Sequence, residues 1–447
     1  MLICASLPCA TSISSRAASS LTSQNSALKR VFAHYMVAWP RGGPQASVES
    51  YQAEIRDAQA SGIDGFSLNC GGWERSEPHY KRRVLRIFEA ADRLGSGFKL
   101  FVSADGKAQD EIADIVATTR GLKAQLMVNG APVLSAYAAG GNGFADGAAL
   151  ISQARELGVF FVPHFFPSTG ERQITSVEAS EVVRRLGDAG GYFYFGAAGA
   201  PSLIAKSTQA LGAALKTRRK LFMAPVTPYY CGLAAGTNYR AFETDGLSGM
   251  AAEWEAAMAS DATWVQIVTW NDWAESTYVA PIGDSSRARI YDDRFGDLLS
   301  HAGYLDASAY YIKWFKTGVK PEITKDRLFY FYRLQEPGST RLNAPASRDA
   351  ILPPRSNTSL SSKIHVSLFL TAPAVLSVML ADSVQVFNAP RGITHVSVDS
   401  GLGTPRFMLH RQGERVIDKT GEQAITVSDA SSRYNYFSGS ATAGEFG

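Results

Sequence analysis

The chain has 447 residues, more than one typical domain requires, so we expect two or more folding units with large apolar cores. Its 44 basic and 41 acidic residues leave a net charge of +3, which argues against nucleic acid or an anionic membrane as a partner. No uninterrupted apolar stretch of about 18 residues is present, so no membrane-spanning helix is predicted. These features favour a globular protein, expected to be a monomer, that acts on a neutral ligand.

The first 30 residues are interpreted as a leader or a disordered segment. Residues 1–48 contain no Asp or Glu, and a short apolar opening precedes a Ser-rich stretch at residues 11–26. The opening lacks the charged start that is typical of a secretory signal. Secretion or periplasmic export therefore stays open.

From Val31 to Trp270 the sequence repeats one unit, a short apolar run followed by a longer segment with helical spacing. This alternation predicts parallel strands joined by helical crossovers, and eight units predict a (β/α)8 TIM barrel. An open doubly wound sheet is the alternative, but no Gly-x-Gly-x-x-Gly motif opens the first unit. The predicted strand runs are Val31–Val37, Ile63–Asn69, Phe98–Ser103, Pro132–Tyr137, Val159–His164, Gly191–Phe195, Leu221–Val226 and Trp264–Thr269.

Segments with apolar residues three and four positions apart are predicted to be helices. They are Ser47–Ala60, Tyr80–Leu94, Asp146–Leu157, Val177–Leu186, Gly246–Ser260 and, after the eighth strand, Asp292–Thr317.

The composition and the hydrophobic period both change in the C-terminal part of the chain. Residues 337–363 are rich in Pro, Ser, Asn and Arg, which is typical of a linker. Beyond them apolar residues alternate with a period of two, which predicts an antiparallel β-sandwich. The predicted units are thus a leader (1–30), a catalytic barrel with trailing helices (31–336), the linker (337–363) and an accessory sandwich (364–447). The sandwich strands are predicted at Ile364–Leu370, Leu376–Leu380, Val384–Asn388, Ile393–Val398, Arg406–His410, Ala424–Val427 and Tyr434–Ser438.

The eighth predicted strand ends abruptly at two carboxyl groups. In the segment Val265–Ser276 an apolar run is followed by Asp272 and Glu275, set among aromatic and amide side chains. Burying two acids beside aromatic rings is unfavourable unless the charges are hydrogen-bonded or used. Glycoside hydrolysis uses two carboxyl groups to transfer protons, so the segment predicts a catalytic pair. The alternative is a strand end capped by an Asn-Asp turn.

Other polar and aromatic residues occupy the C-terminal ends of predicted strands, where barrel enzymes bind their substrates. For each one, a role in the core or rim is an equal alternative. The residues predicted to bind substrate are His34, Tyr35, Asn69, Trp73, Asp105, His164, Tyr229, Trp270, Asn271, Trp273 and Tyr278. Ser135, Tyr137 and Tyr230 also lie at strand ends.

Metal and serine-nucleophile chemistries are disfavoured. The 7 histidines are scattered, with no His-x-x-x-His or paired Cys motif, so neither a metal site nor a cofactor is predicted. No Gly-x-Ser-x-Gly elbow follows a strand, which argues against a Ser-His-Asp hydrolase.

Several blocks, in the same order along the chain, resemble glycoside hydrolase family 71, the fungal-type α-1,3-glucanases or mutanases. The resemblance implies endo-acting, inverting hydrolysis of α-1,3-glucan by a barrel with an appended β-sandwich. It also implies that the acidic pair of the family falls on Asp272 and Glu275. Trp273, Ala274 and Thr277 stand where Tyr, Gly and His are usual in the family. The blocks are Val31–Val37, Gly62–Asn69, Phe98–Asp105, Pro132–Ser135, Met223–Tyr229, Val265–Ser276 and Tyr278–Pro281.

The sequence does not decide which of the two residues is the general acid and which is the general base. On one helical turn their Cβ atoms would be about 5–6 Å apart, whereas the carboxyl groups of inverting enzymes are roughly 6.5–9.5 Å apart. A loop would satisfy that separation. Glu275 is provisionally the general acid and Asp272 the base, because the longer side chain reaches a leaving-group oxygen more easily. Asp105 is a candidate third acid.

Two other functions fit the same pattern. An endo-α-mannosidase-like hydrolase has a similar strand end, although a Glu is expected where Asp272 stands. An inactive barrel that binds carbohydrate is the non-enzymatic alternative, and the presence of both acids disfavours it.

Overall fold

The computed structural model describes residues 28–139, 147–166, 172–232, 238–291, 295–335, 354–356, 360–427 and 434–446. The predicted leader and most of the predicted linker lie outside these ranges. Within them, no helix has the length and apolar character needed to span a bilayer.

A curled, mainly parallel sheet forms the N-terminal part of the fold, and two short antiparallel ladders lie on its loops. The strands are β1 (Arg30–Met36), β2 (Gly65–Cys70), β3 (Lys99–Ala104), β4 (Met127–Val128), β5 (Ala131–Ala136), β6 (Phe160–Pro163), β7 (Gly191–Phe193), β8 (Leu221–Val226), β9 (Tyr230–Cys231), β10 (Ala241–Phe242), β11 (Trp264–Ile267), β12 (Arg287–Ala288) and β13 (Leu298–Leu299).

The parallel strands of the sheet pair in the order β6–β5–β3–β2–β1–β11–β8–β7, and β4 pairs antiparallel with β5. Each of the eight predicted runs overlaps one of these parallel strands. At the two ends of the order, the Gly190 N–H next to β7 donates to Phe161 O of β6 at 2.9 Å. The sheet is therefore curled, and this hydrogen bond links the segments at its two ends. An apolar cluster that includes Phe32, Phe101 and Trp264 fills its inner side.

Amphipathic helices follow the strands and cover the outside of the sheet. The helix Ser176–Leu186 begins with a capping box, because the side chains of Thr175 and Glu178 each bond the backbone N–H of the other. The helices are α1 (Val48–Ala60), α2 (His79–Leu94), α3 (Ile112–Thr119), α4 (Gly147–Glu156), α5 (Ser176–Leu186), α6 (Pro201–Thr217), α7 (Leu247–Ala259) and α8 (Ala302–Thr317).

The prediction of one helix over Asp292–Thr317 is wrong at its start. Residues 292–294 lie outside the described ranges, and α8 begins only at Ala302. Strand β13 precedes it and pairs with β12. The Leu299 N–H and C=O are both bonded to the Tyr278 hydroxyl, a side chain distant in sequence, so the backbone is extended there.

Two four-stranded antiparallel sheets form the C-terminal part and share one apolar core. Their orders are β18–β15–β14–β21 and β17–β16–β19–β20. The strands are β14 (Arg327–Arg333), β15 (Lys363–Leu370), β16 (Ala374–Leu380), β17 (Ser383–Ala389), β18 (Gly392–Asp399), β19 (Arg406–Arg411), β20 (Glu414–Thr420) and β21 (Tyr436–Thr442).

Three details of these sheets differ from the predicted strands. Strand β14 pairs with β15 and β21, although it precedes the predicted boundary at residue 336. The charged strand β20 was not predicted, because four of its seven residues are ionisable and only Ile417 and Asp418 are buried. Over Ala424–Val427, Ile425 and Thr426 form isolated bridges instead of a strand.

Candidate active site

The turn that follows strand β11 carries the two predicted acids. Asp272 Oδ1 accepts hydrogen bonds from the backbone N–H groups of Ala274 and Glu275, at 3.1 Å each. The Asp272 N–H donates to Thr269 Oγ1 at 2.8 Å. An Asp side chain that bonds the backbone two and three residues further on folds the chain into a tight turn. The local sequence therefore holds Asp272 beside Glu275.

Asn271 fastens this turn to the end of strand β1. Its Oδ1 accepts from the Met36 N–H at 2.7 Å, and its Nδ2 donates to Met36 O at 3.1 Å and to Trp39 O at 2.8 Å. The indole N–H of Trp273 donates to the same Trp39 carbonyl at 2.9 Å. The polar atoms of Asn271 and Trp273 are thus bonded to the protein, and both side chains hold the turn in place.

Asp272 lies in an environment that favours its neutral form. The residue is only 6% exposed. Burial raises its pKa from the ordinary 3.8 to about 8, and the charge of Glu275 adds to the rise, while the two backbone N–H groups oppose it. A carboxyl group with this pKa keeps its proton at neutral pH. Asp272 can therefore donate a proton.

Glu275 has polar neighbours that offset part of the cost of burying its charge. Burial raises its pKa, but Asn238, Tyr230 and the charge of Arg240 all oppose the rise. Its Oε1 accepts from Asn238 Nδ2 at 2.8 Å and from the Tyr230 hydroxyl at 3.0 Å. The Glu275 carbonyl accepts from the Cys231 N–H at 2.9 Å. The ladder of β9 and β10 and the segment beside it thus support Glu275 as a carboxylate.

A cavity of about 390 Å³ opens beside Glu275. Aromatic rings and polar groups share its lining, a combination that fits the flat faces and the hydroxyl groups of a sugar. Lining residues include Tyr137, Phe166, Arg172, Tyr194, Phe195, Tyr230, Asn238, Arg240 and Glu275.

The sequence of the chain matches a known family. The model of glycosyl hydrolase family 71 matches residues 27–446. The chain belongs to this family. The resemblance drawn from the sequence blocks is thereby confirmed, and the protein is a glycoside hydrolase.

Two curated relatives align along nearly the whole family 71 chain. A mutanase from Penicillium rubens is 25% identical over 421 residues, which cover 91% of this chain and 87% of the relative. A glucan endo-1,3-alpha-glucosidase from Schizosaccharomyces pombe is 25% identical over 437 residues, covering 94% and 95%. Among solved structures, the family 99 endo-alpha-mannosidase from Bacteroides thetaiotaomicron has 16% identity, covers 64% of this chain and 98% of its own, and gives a TM-score of 0.47.

Four of the other predicted substrate-binding residues lie on the inner side or the rim of the curled sheet. Asn69 Nδ2 donates to Asp105 Oδ2 at 3.2 Å, at the ends of strands β2 and β3. Burial raises the pKa of Asp105. His34 and His164 are fully buried, and burial lowers their pKa values to about 4 and about 3, so both rings are neutral at working pH.

Burial raises the pKa of the Tyr137 hydroxyl, and the charges of three carboxyl groups raise it further. The three belong to Glu275, Asp105 and Asp272. Asp105 and the two acids of the turn therefore all lie near enough to Tyr137 for their charges to act on its hydroxyl group.

Three predicted residues point away from this space, into the layer between the sheet and the helices. Tyr35 OH and Trp270 Nε1 both donate to the Glu54 carboxyl group on α1, at 2.9 Å each. Trp73 Nε1 donates to Asp114 Oδ2 on α3 at 2.7 Å. Successive residues of a strand face opposite sides of the sheet, which is why Tyr35 and its neighbour His34 diverge.

Tyr229 and Tyr278 lie at the junction with the C-terminal sheets. The Tyr229 hydroxyl donates to Tyr434 O at 3.0 Å. The Tyr278 hydroxyl donates to Leu299 O at 2.6 Å, and its ring stacks on His301 with centroids 4.1 Å apart. Their hydroxyl groups are thus used within the protein, and the structure does not bring them to the cavity.

The cavity-lining residues that were absent from the sequence prediction include Phe195, Asn238 and Arg240. Phe195 ends a predicted strand run and could have been found by the same rule that selected His164. Asn238 and Arg240 lie in an irregular segment before β10, and no sequence pattern marks them.

Among the described residues, one group has potential metal-ligand atoms within 4.8 Å of one another: Glu243, Asp245 and His365. It lies apart from the acidic pair, at the junction of the two parts. The Glu243 carboxylate is already paired with Arg333 at 2.9 Å, so its charge is balanced. Hydrolysis without a metal or cofactor stays a prediction.

Proposed function

We propose that the protein hydrolyses α-1,3-glucosidic bonds within α-glucan chains, so that its substrate is a neutral polysaccharide or oligosaccharide. The observation that carries the proposal is the pair of buried carboxyl groups on one turn beside an aromatic-lined cavity. The names of the two relatives, a mutanase and a glucan endo-1,3-alpha-glucosidase, support this substrate. Membership of glycosyl hydrolase family 71 supports the reaction class.

In the proposed mechanism Asp272 is the general acid and Glu275 the general base. The Asp272 proton passes to the glycosidic oxygen as the bond between that oxygen and the anomeric carbon breaks. A water molecule forms the new bond to the anomeric carbon and gives a proton to Glu275. This assignment reverses the one based on side-chain length, because burial favours the neutral form of Asp272 whereas three polar neighbours favour the charged form of Glu275.

We further propose that the curled sheet is a complete (β/α)8 barrel and that the two C-terminal sheets form a β-sandwich. The hydrogen bond between Gly190 and Phe161 supports closure of the barrel, and the shared apolar core supports the sandwich. Because β14 pairs only with strands of the C-terminal sheets among the described residues, we place the start of the accessory domain at Arg327. The inverting outcome and a monomeric state belong to the same proposal.

The test is the release of reducing ends from α-1,3-glucan by the wild type, Asp272→Asn and Glu275→Gln. We expect activity in the wild type and a loss of at least 100-fold in each variant, the usual contribution of a positioned acid or base. Undiminished rates in both variants would refute the site. Starch, dextran and α-mannan complete the panel. Cleavage of α-mannan alone would favour an endo-α-mannosidase, and binding without product would favour an inactive barrel.

The division of labour has a test of its own. A substrate whose leaving group needs no proton, such as α-glucosyl fluoride, bypasses the general acid but still needs the base. Asp272→Asn should therefore retain far more of its activity on the fluoride than on glucan, whereas Glu275→Gln should lose both. The opposite pattern would restore Glu275 as the acid. The anomer that forms first, read by NMR, decides between inversion and retention.

A further inference from the structure

Tyr137 directly follows strand β5, at the edge of the sheet where the acidic pair lies. Its N–H donates to Ala104 O at 2.9 Å, and its carbonyl accepts from Gln109 Nε2 at 2.7 Å. Neighbouring elements thus fix its backbone on both sides.

Three rings fix the direction of the Tyr137 side chain. Its ring stacks on His164, with centroids 5.4 Å apart and planes 19° apart. Phe195 and Phe166 meet the same ring edge to face, with centroids at 4.9 and 5.9 Å. A ring held in this way has little side-chain entropy left to lose when its hydroxyl group binds a ligand.

The Tyr137 hydroxyl is available to a ligand. It takes part in none of the hydrogen bonds in the described parts of the chain, and the residue lines the cavity that Glu275 also lines. The surrounding carboxyl groups disfavour its ionised form, so it remains a phenol that can both donate and accept. A sugar hydroxyl group, which also both donates and accepts, can pair with it.

We propose that Tyr137 binds substrate through its hydroxyl group, which hydrogen-bonds a hydroxyl group of the sugar held between the carboxyl groups of the site. The inference rests on the proposed glucanase function and extends it to a residue that selects for a hydroxylated sugar ring. A site built to bond a hydroxyl group rejects analogues that lack it, so the contact contributes to specificity.

The test compares Tyr137→Phe with a matched control, Tyr192→Phe. Both changes remove one hydroxyl group and keep a ring beside His164. The Tyr192 hydroxyl is buried, donates to Phe165 O at 2.7 Å and lies 3.4 Å from His164 Nδ1, and the residue does not line the cavity of Glu275. We expect kcat/KM on α-1,3-glucan to fall about tenfold in Tyr137→Phe with an unchanged melting temperature, since one hydrogen bond is worth up to about that factor. Tyr192→Phe should show the reverse, a lower melting temperature and unchanged kcat/KM.

Binding gives a second measurement that packing alone would not change. On the Asp272→Asn background, isothermal titration with an α-1,3-glucan oligosaccharide should give a Kd about tenfold higher when Tyr137→Phe is added. A kcat/KM and a Kd within twofold of the parent values would overturn the proposal. So would a loss of activity accompanied by a fall in melting temperature equal to that of Tyr192→Phe.

Failure of the proposed function would look different. If the wild type releases nothing from α-1,3-glucan but cleaves another member of the panel, the glucanase assignment fails. The same pair of variants on the cleaved glycan then decides the role of Tyr137.

Discussion

Replacing Glu243 by Gln should destabilise the junction between the curled sheet and the C-terminal sheets. Arg333 Nη1 lies 2.9 Å from Glu243 Oε2, and the two side chains are 2% and 8% exposed. The Tyr436 hydroxyl and the Ser361 N–H also donate to this carboxylate, at 2.5 and 2.6 Å. The neutral amide introduced by Glu243→Gln would leave the buried Arg333 guanidinium without a counter-charge.

The expected magnitude follows from the pKa of Glu243. The charge of Arg333 and the hydrogen bonds from Tyr436 and Ser361 outweigh burial and lower this pKa from 4.5 to about 2. At about 1.4 kcal/mol per pKa unit, the carboxylate contributes roughly 3 kcal/mol to the free energy of unfolding at pH 7. Breaking a buried pair typically costs about 3–5 kcal/mol, in agreement. Because the folded-state pKa is lowered, the contribution is complete above pH 4.5 and is lost as the pH falls toward 2.

The assay is urea unfolding followed by tryptophan fluorescence and circular dichroism at pH 7 and pH 3. The deficit of Glu243→Gln should shrink from roughly 3 kcal/mol at pH 7 to about 1.4 kcal/mol at pH 3. Asp188→Asn is the control, because its pair with Arg155 is exposed and should contribute less than about 1 kcal/mol. A deficit below about 1 kcal/mol at pH 7, or one that does not change with pH, would refute the reasoning.

Three further predictions concern the active-site turn. The kcat/KM on glucan should fall as the pH rises through about 8, because Asp272 must hold its proton, and should fall at acidic pH as Glu275 gains one; a profile flat to pH 10 would contradict this. Burial raises the Asp272 pKa from 3.8 to about 8, so the free energy of unfolding of the wild type should fall as the pH rises across that interval. The free energy of unfolding of Asp272→Asn should therefore rise relative to that of the wild type by up to about 1.4 kcal/mol per pH unit. An equal difference between the two proteins in urea unfolding at pH 5 and at pH 7 would exclude this. Asn271→Ala removes three hydrogen bonds to Met36 and Trp39 and leaves buried groups without partners. The free energy of unfolding should fall by about 1–3 kcal/mol, and both the melting temperature and kcat should decrease. Unchanged values of both would show that the turn keeps its conformation without these hydrogen bonds.

The sequence by itself determined the order of the elements, the family and the position of the acidic pair. Hydrophobic periodicity located all eight parallel strands because burial imposes that periodicity directly on the chain. It also placed Asp272 and Glu275 after the last of them, where a short turn leaves the acids little freedom to lie elsewhere.

Only the tertiary structure decided which rings face the cavity and which surroundings each acid has. The side chains of Tyr35 and Trp270 donate hydrogen bonds to Glu54 on helix α1. Which side of the sheet a side chain faces depends on strand register and not on residue type. Asn238 and Tyr230 reach Glu275 across 37 and 45 positions of sequence. A carboxyl pKa depends on burial and on neighbours in space, and neither can be read from a three-residue spacing.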